Sequence, residues 1–232
     1  MIKRFRQFLD EDVEPQIFAR AIWVVGRPGS GKSMFANLIK KSFPSLQVID
    51  SDRQFEALLK KAGIDKDLRG VDSDPEKQKE VNGLRNKAIR LSKKRWDTLT
   101  GLRSTGSGDY NDDLGFIYVG TGASVDWLEK KIEEFRAWGF KPFIVYVNTP
   151  ADVAKERNAS RDRKVDDKVI DKFDSDHEGN VVSDRANPLK NIVGERNFIE
   201  LVNDSKLNDE QAINKKFPAL LPRLKKFLGS RK

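Results

Sequence analysis

The sequence contains no cysteine, and His177 is its only histidine. The first absence excludes disulfides and thiolate metal sites. The second makes a zinc centre or a Ser-His-Asp triad a poor reading. His177 stands in the polar stretch FDSDHEGN and reads as a solvated loop residue. Long apolar runs are missing as well. None approaches the roughly 20 residues of a membrane span, and the opening MIKRFRQFLDEDVEP lacks the apolar core of a signal peptide. The expectation is a soluble cytoplasmic protein with no membrane partner and no structural metal. At 232 residues the chain can bury the core of one α/β domain with an appendage, or of two small domains.

Positive charge is abundant. The formal net charge is +8, and it is concentrated in two tracts. Eight Lys and Arg between Lys79 and Arg103 stand against only Glu80 and Asp97, and the segment from Lys215 onward carries seven and no acid. Such tracts suggest a polyanionic partner, with a basic face kept for solubility as the competing reading. Arg90, Lys93, Lys94 and Arg95, with Arg53 upstream, are the candidate nucleic-acid contacts.

The stretch WVVGRPGSGKSMF meets the pattern G-x-x-x-x-G-K-[ST] with Gly26, Gly31, Lys32 and Ser33. Ahead of it, residues 21–25 form a short apolar run that reads as a buried parallel strand. Behind it, Met34, Phe35, Leu38 and Ile39 recur at helical spacing, so a helix opens near Lys32. Strand, glycine loop and helix suit phosphate binding: loop N–H groups point at phosphate oxygens and the helix N-terminus adds its positive end. Gly26, Pro28, Gly29, Ser30, Gly31, Lys32 and Ser33 would cradle ATP. Lys32 would reach the β- and γ-phosphates, and the Ser33 hydroxyl would sit on Mg²⁺.

Along the rest of the chain, residues 1–20 read as an amphipathic segment through Ile2, Phe5, Phe8 and Leu9, ended by Pro15. A second strand at 46–50 leads into a helix that stops at Gly63. A polar loop is expected over 65–78, a long basic helix over 79–99, and a glycine-rich insertion over 104–113. Strands follow at 115–120, 142–148 and 197–203. Between them lie an amphipathic helix from Ser124 and a helix capped by Thr149 and led by Pro150. A basic C-terminal helix would be broken at Pro218 and Pro222. The alternation predicts an α/β fold of the P-loop NTPase type, a parallel sheet with helices on both faces. The kinase-sized domain would span 21–204, with a basic helical insertion at about 65–113 and a lid at about 150–170. The 1–20 segment and a basic helix over 205–232 would flank it. Ligands in such sheets bind beyond the carboxyl ends of the strands. That rule selects the glycine loop, Asp50, Asp52, Gly120–Gly122, Asn148–Thr149 and Asn203–Asp204.

The strand FIYVGTG ends without the carboxylate of a Walker-B ATPase, and the Asn-Lys-x-Asp of base-reading GTPases is absent. Asp52, twenty residues beyond Lys32, instead stands where a general base can face a γ-phosphate, and it can share the metal. Either Asp50 or Asp52 could also cap the following helix. In ERNASRDRK, Arg157 and Arg161 are four apart and would share one helix face, with Arg163 close behind. Guanidinium groups there can meet the charge of a transferring phosphoryl and close as a lid. Ion pairs to Asp152, Glu156 and Asp162 are the plainer reading.

The pieces GRPGSGKS, VIDSDRQF, GTG and YVNTPADVAKERNASRDRKV, in that order over roughly 21–170, resemble the zeta-toxin and polynucleotide-kinase branch of P-loop kinases. The resemblance implies Asp52 as base and Arg157 and Arg161, with Arg163 as a third, as lid arginines. The basic helix KAIRLSKKRWDTL is similar, more narrowly, to that of phage-encoded zeta-like kinases. Some of these phosphorylate the hydroxymethyl group of 5-hydroxymethyluracil in DNA. Two positions depart from the pattern. Val119 stands where many relatives carry an aspartate before Gly-Thr-Gly, and Asp166 where a proline often follows the valine. The expected activity is ATP- and Mg²⁺-dependent phosphorylation of a nucleic-acid hydroxyl, with DNA as the partner. A 5′-hydroxyl polynucleotide kinase, a zeta-toxin-like kinase of a nucleotide sugar, and a non-enzymatic ATP switch are the alternatives. Trp96, Tyr110, Phe116 and Trp127 are available for base stacking, although Trp127 reads as core from its helical phase.

Overall fold

The computed structural model describes residues 19–104, 115–175, 181–182, 184–204 and 209–229. Of the expected 1–20 segment all but Ala19 and Arg20, which begin the first strand, and of the insertion expected over 104–113 all but Ser104, lie outside them, as do Tyr110 and His177. Five strands, β1 (Ala19–Val25), β2 (Gln47–Asp50), β3 (Gly115–Gly120), β4 (Phe140–Asn148) and β5 (Phe198–Val202), form one parallel sheet. Their order is β2-β3-β1-β4-β5. Every residue of the central strand β1 is buried, because helices cover both faces of the sheet and leave neither to water.

Alternate β1 residues feed two cores. Ala21, Trp23 and Val25 face a layer containing Leu128, Ile132 and Phe135 of α4 (Val125–Ala137). Trp96 completes this layer, with its ring centroid 4.2 Å from Phe135 and 5.5 Å from Trp23, both edge-on. Trp96 and Phe116 are therefore core aromatics, not stacking platforms. Trp127 is the reverse: it lies off the Leu128–Ile132–Phe135 stripe and is 44% exposed. That corrects the core assignment made from helical phase.

Ile22 and Val24 face the second core. There Phe35 and Ile39 of α1 (Lys32–Ser42) meet Ile213, Phe217, Leu224 and Phe227 of α8 (Asp209–Gly229). Contrary to expectation, α8 runs unbroken with Pro218 and Pro222 inside it. A proline removes one helical hydrogen bond, but the apolar stripe on either side of both prolines is clamped to the sheet. Phe227 packs 4.8 Å from Phe143, and Arg20 donates from Nε to the Phe227 carbonyl at 2.9 Å.

α2 (Ser51–Ala62) and α3 (Pro75–Ser104) form a satellite layer through Phe55, Leu59, Val81 and Ala88. α3 starts earlier than expected. The Asp74 carboxylate accepts from the N–H groups of Glu76 and Lys77, both at 3.1 Å, with Pro75 at the first helical position. Among the described residues the remaining α-helices are α5 (Ala151–Ser160), α6 (Asp167–Asp171) and α7 (Ala186–Val193). Among the described residues, no helix is long and apolar enough to cross a membrane.

Candidate active site

The glycine loop lies between the carboxyl end of β1 and α1. A Cβ on Gly29 (φ +82°) would come within 2.5 Å of the Ala154 carbonyl, and one on Gly26 within 2.4 Å of the Val147 carbonyl. Both positions need glycine because backbone passes so close. The loop is braced from behind. The Ser30 carbonyl accepts from Asn203 Nδ2 at 2.9 Å and from the Thr149 hydroxyl at 3.4 Å. Asn203 Oδ1 in turn accepts from Arg157 Nη2 at 3.3 Å. Thr149 thus serves the loop, and the residue flanking α5 is Pro150, not Thr149 as expected.

α1 opens after Gly31 with no capping side chain and no acid in its first turn. Its N-terminal N–H groups are thereby left without a side-chain cap, the arrangement that can hold an anion. Lys32 Nζ donates to the Arg27 carbonyl at 2.7 Å and is buried. Burial pushes its pKa down to about 8, with Asp52 and Asp50 opposing the shift and Arg161 and Arg163 reinforcing it. An ammonium held this way fits arriving phosphate oxygens.

Asp50 resolves the capping alternative. Its Oδ1 accepts from the N–H groups of Asp52 at 3.0 Å and Arg53 at 3.2 Å, so Asp50 caps α2. Burial, seconded by the charge on Asp52, raises its pKa against the pull of the Arg53 N–H. Its Oδ2 accepts from the Ser33 hydroxyl at 3.3 Å. In the β2–β3 register Asp50 is paired with Val119. The carboxylate that Val119 lacks therefore stands on the neighbouring strand at the same level. Ser33, Asp50 and Asp52 offer the hard oxygen donors Mg²⁺ takes. Among the described residues no cluster of three or more acidic, His or Cys side chains would hold a metal alone, so phosphate and water oxygens would have to complete the shell.

With Asp50 occupied, Asp52 is left to face a cavity of about 220 Å³, which it shares with Gly29, Lys32, Glu56, Arg161 and Arg163. Arg163 Nη1 lies 3.2 Å from Asp52 Oδ1 and 3.7 Å from Glu56 Oε1. The enclosing protein raises the Asp52 pKa, but Arg163, then Lys32 and Arg161, more than reverse this, and the carboxyl sits below its ordinary value.

Arg157 and Arg161 do not share a helix face. α5 ends at Ser160, and Arg161 is extended at φ −96°, ψ 164°. The Asn158 side chain turns the chain there. Its Oδ1 accepts from Arg161 Nη2 and the Val165 N–H, both at 3.1 Å, and its Nδ2 donates to the Val165 carbonyl at 2.7 Å. Arg157 consequently faces Asn203, while Arg161 and Arg163 line the cavity. The segment beyond is stitched to the loop after α2. Leu68 N–H donates to the Lys164 carbonyl at 3.0 Å, Gly70 N–H to Asp166 Oδ1 at 3.3 Å, and Lys168 pairs with Asp72 at 2.7 Å. Asp166, standing where a proline was the pattern, thereby holds this junction.

Arg90, Lys93 and Lys94 are exposed on α3. Arg95 donates to Gln47 Oε1 at 3.1 Å, at the start of β2, while Asp50 ends that strand. The Arg95 end of the tract therefore lies about 10 Å along the strand from the cavity's level, toward the amino ends, whereas Arg85 stands over the Phe55 ring that Arg163 also faces. Arg53 reaches Asn37 of α1. Sequence reasoning missed Glu56 as Arg163's second partner, although its spacing of four from Asp52 puts both on one face of α2. It selected Asn203 by strand end without assigning its brace.

Solved structures with related chain paths include a putative kinase from Chloroflexus aurantiacus, 16% identical, with a TM-score of 0.48 and 88% and 97% of the two chains covered. The PezAT toxin-antitoxin system of Streptococcus pneumoniae aligns at 18% identity, TM-score 0.41, over 68% of this chain and 59% of the other. Shikimate kinase from Acinetobacter baumannii, in complex with shikimate, aligns at 15% identity, TM-score 0.41, over 88% and 94%. These likenesses are too distant to carry an argument about substrate. A search of curated proteins returns no match. The family AAA_33, described as an AAA domain, matches residues 22–179. With the parallel sheet and glycine loop in place, the chain belongs to this AAA-domain family and has its P-loop type of α/β fold.

Proposed function

We propose that this kinase transfers the γ-phosphoryl of ATP to a hydroxyl on DNA, with the hydroxymethyl group of 5-hydroxymethyluracil as the leading acceptor. The observation that carries the transfer chemistry is the convergence of Asp52, Lys32 and Arg163 on one cavity at the mouth of the glycine loop. Lys32 and the α1 N–H groups bind the β- and γ-phosphates. Mg²⁺, held by Ser33 with Asp50 and Asp52 close by, supplies charge neutralisation when bound. Asp52 takes the acceptor's proton as its oxygen bonds phosphorus and the bond to ADP breaks. Arg161 and Arg163 lie where they can meet the charge on the equatorial oxygens.

The nucleic-acid acceptor is supported by the +8 charge and the outward row Arg90, Lys93 and Lys94. A small-molecule acceptor is favoured by one specific observation, the displacement of that row toward the amino ends of the strands. The deciding experiment follows labelled γ-phosphate from ATP-Mg²⁺ to four acceptors: duplex DNA with 5-hydroxymethyluracil, the unmodified duplex with free 5′-hydroxyls, a nucleotide sugar, and shikimate. Label on the modified duplex alone supports the reading. Label on both duplexes means an end-directed polynucleotide kinase, and label only on a small molecule overturns the DNA assignment.

A further inference from the structure

We propose that a second cavity, at the carboxyl end of β3, is the acceptor subsite and takes an uncharged planar ring stacked on Trp127. This rests on the kinase reading above and adds the chemical class of the group that presents the hydroxyl. The cavity measures about 290 Å³, and none of its lining residues carries a charge. Tyr118 and Trp127 supply aromatic faces, Thr121 and Ser124 supply hydroxyls, and Gly120 and Gly122 leave the space open.

Its place connects it to the transfer chemistry. The Gly26 N–H, at the head of the glycine loop, donates to the Thr121 carbonyl at 3.0 Å. Tyr118 lines the cavity and is paired across β2–β3 with Ile49, the residue before Asp50. Burial, then the charges of Asp52 and Asp50, push its phenol up to about 12, so it stays a neutral hydrogen-bonding group beside the base. A ring in this cavity can therefore direct a short hydroxyl-bearing arm past Tyr118 toward Asp52.

The loop that lines the cavity is tied to the rest of the chain. Arg185 Nη1 donates to the Ala123 carbonyl at 2.8 Å, anchoring the loop after β3. A Cβ at Gly120 would lie 2.7 Å from the Tyr118 ring, and Gly122 (φ +64°) leaves only 2.9 Å to Val25. Either substitution would close the cavity or turn its floor. Trp127 sits on the first turn of α4, its ring centroid 6.2 Å from that of Tyr118 with the planes 40° apart. A large aromatic held exposed at a cavity mouth is a stacking surface.

The lining also sets what is refused. A carboxylate or phosphate entering here would lose its hydration with no cation to replace it. Thus ring acids are poor acceptors, while a heteroaromatic ring with polar edge atoms pairs with the hydroxyls of Thr121, Ser124 and Tyr118. If the ring belongs to a duplex, the base must leave the stack to enter.

The test uses 5-hydroxymethyl-2′-deoxyuridine as the neutral ring and shikimate as the charged one. Binding is measured by equilibrium dialysis and transfer by labelled ATP, in wild type, Trp127→Phe and Trp127→Ala. The nucleoside should bind wild type at least about tenfold more tightly than shikimate. Trp127→Ala should weaken the nucleoside about tenfold and raise its KM more than it lowers kcat, with Trp127→Phe within about threefold of wild type. Equal binding of shikimate, or nucleoside affinity indifferent to Trp127→Ala, overturns the subsite. Trp127-dependent nucleoside binding without label transfer would instead keep the subsite and refute that acceptor in the proposed reaction.

Discussion

Asp52 and Arg163 stand 3.2 Å apart, and each is the other's partner until a phosphoryl group arrives. The pairing keeps Asp52 ionised well into acid, so the acid limb of kcat/KM should lie below the ordinary carboxylate range. Removing the guanidinium lets the Asp52 pKa rise. Arg163→Ala should therefore move that limb to higher pH while lowering kcat by about 10². A limb that stays put would show it does not belong to Asp52. Asp52→Asn should lower kcat by about 10³ or more, read by the same labelled-phosphate assay. Lys32 supplies the second pH signature. Its pKa of about 8 means a growing neutral fraction above that pH, whereas bound phosphates favour the ammonium. Binding of ATP should take up protons above pH 8, and its affinity should fall as pH rises there. Calorimetry in buffers of different ionisation enthalpy measures the uptake, and Lys32→Met should abolish it.

At the scale of elements, packing decides what local propensity leaves open. The sheet was readable because strands such as β1 and β4 are buried on both faces and so appear as unbroken apolar runs. The start of α3 was hidden because Asp74-Pro75 signals a turn and a capped helix equally well. The Arg157–Arg161 spacing was correct in sequence, yet Asn158 ends the helix between them with side-chain bonds no periodicity reveals. In α8 the prolines are tolerated because Phe217 meets Phe35 at 5.4 Å and the helix is held by its apolar stripe. Phe217→Ala should accordingly cost about 3 kcal/mol and lower Tm, whereas Pro218→Ala, at an exposed position, should not. The junction between the arginine segment and the loop after α2 gives another element-level outcome. Its exposed ion pairs are each worth about 0–1 kcal/mol. Asp166→Asn with Lys168→Ala should raise the KM for ATP by up to about tenfold, by loosening the segment that carries Arg161 and Arg163, with the far-UV spectrum unchanged.

For the molecule as a whole, charge is laid out along one long helix. α3 has its capped start close to Asp72, where the arginine segment docks, and Arg95 beside the first residue of β2. At 1.5 Å per residue its thirty residues span about 45 Å. A polyanion lying along this helix would touch Arg90, Lys93 and Lys94 far from the transfer site and still bring one group to the cavity end. The amino-end position of these residues is then compatible with a long substrate as well as with a small one. Reversing Lys93, Lys94 and Arg95 to glutamate separates the two cases. For a duplex substrate, affinity should fall, and the slope of log affinity against log salt should shrink by up to about 2.7, at about 0.9 per lost phosphate contact. The KM for an isolated nucleoside should not move, because Lys93, Lys94 and Arg95 stand at the end of α3 that Arg95 ties to the first residue of β2, away from the cavity. Duplex affinity and salt slope equal to wild type would make the tract a solvated face and the acceptor a small molecule.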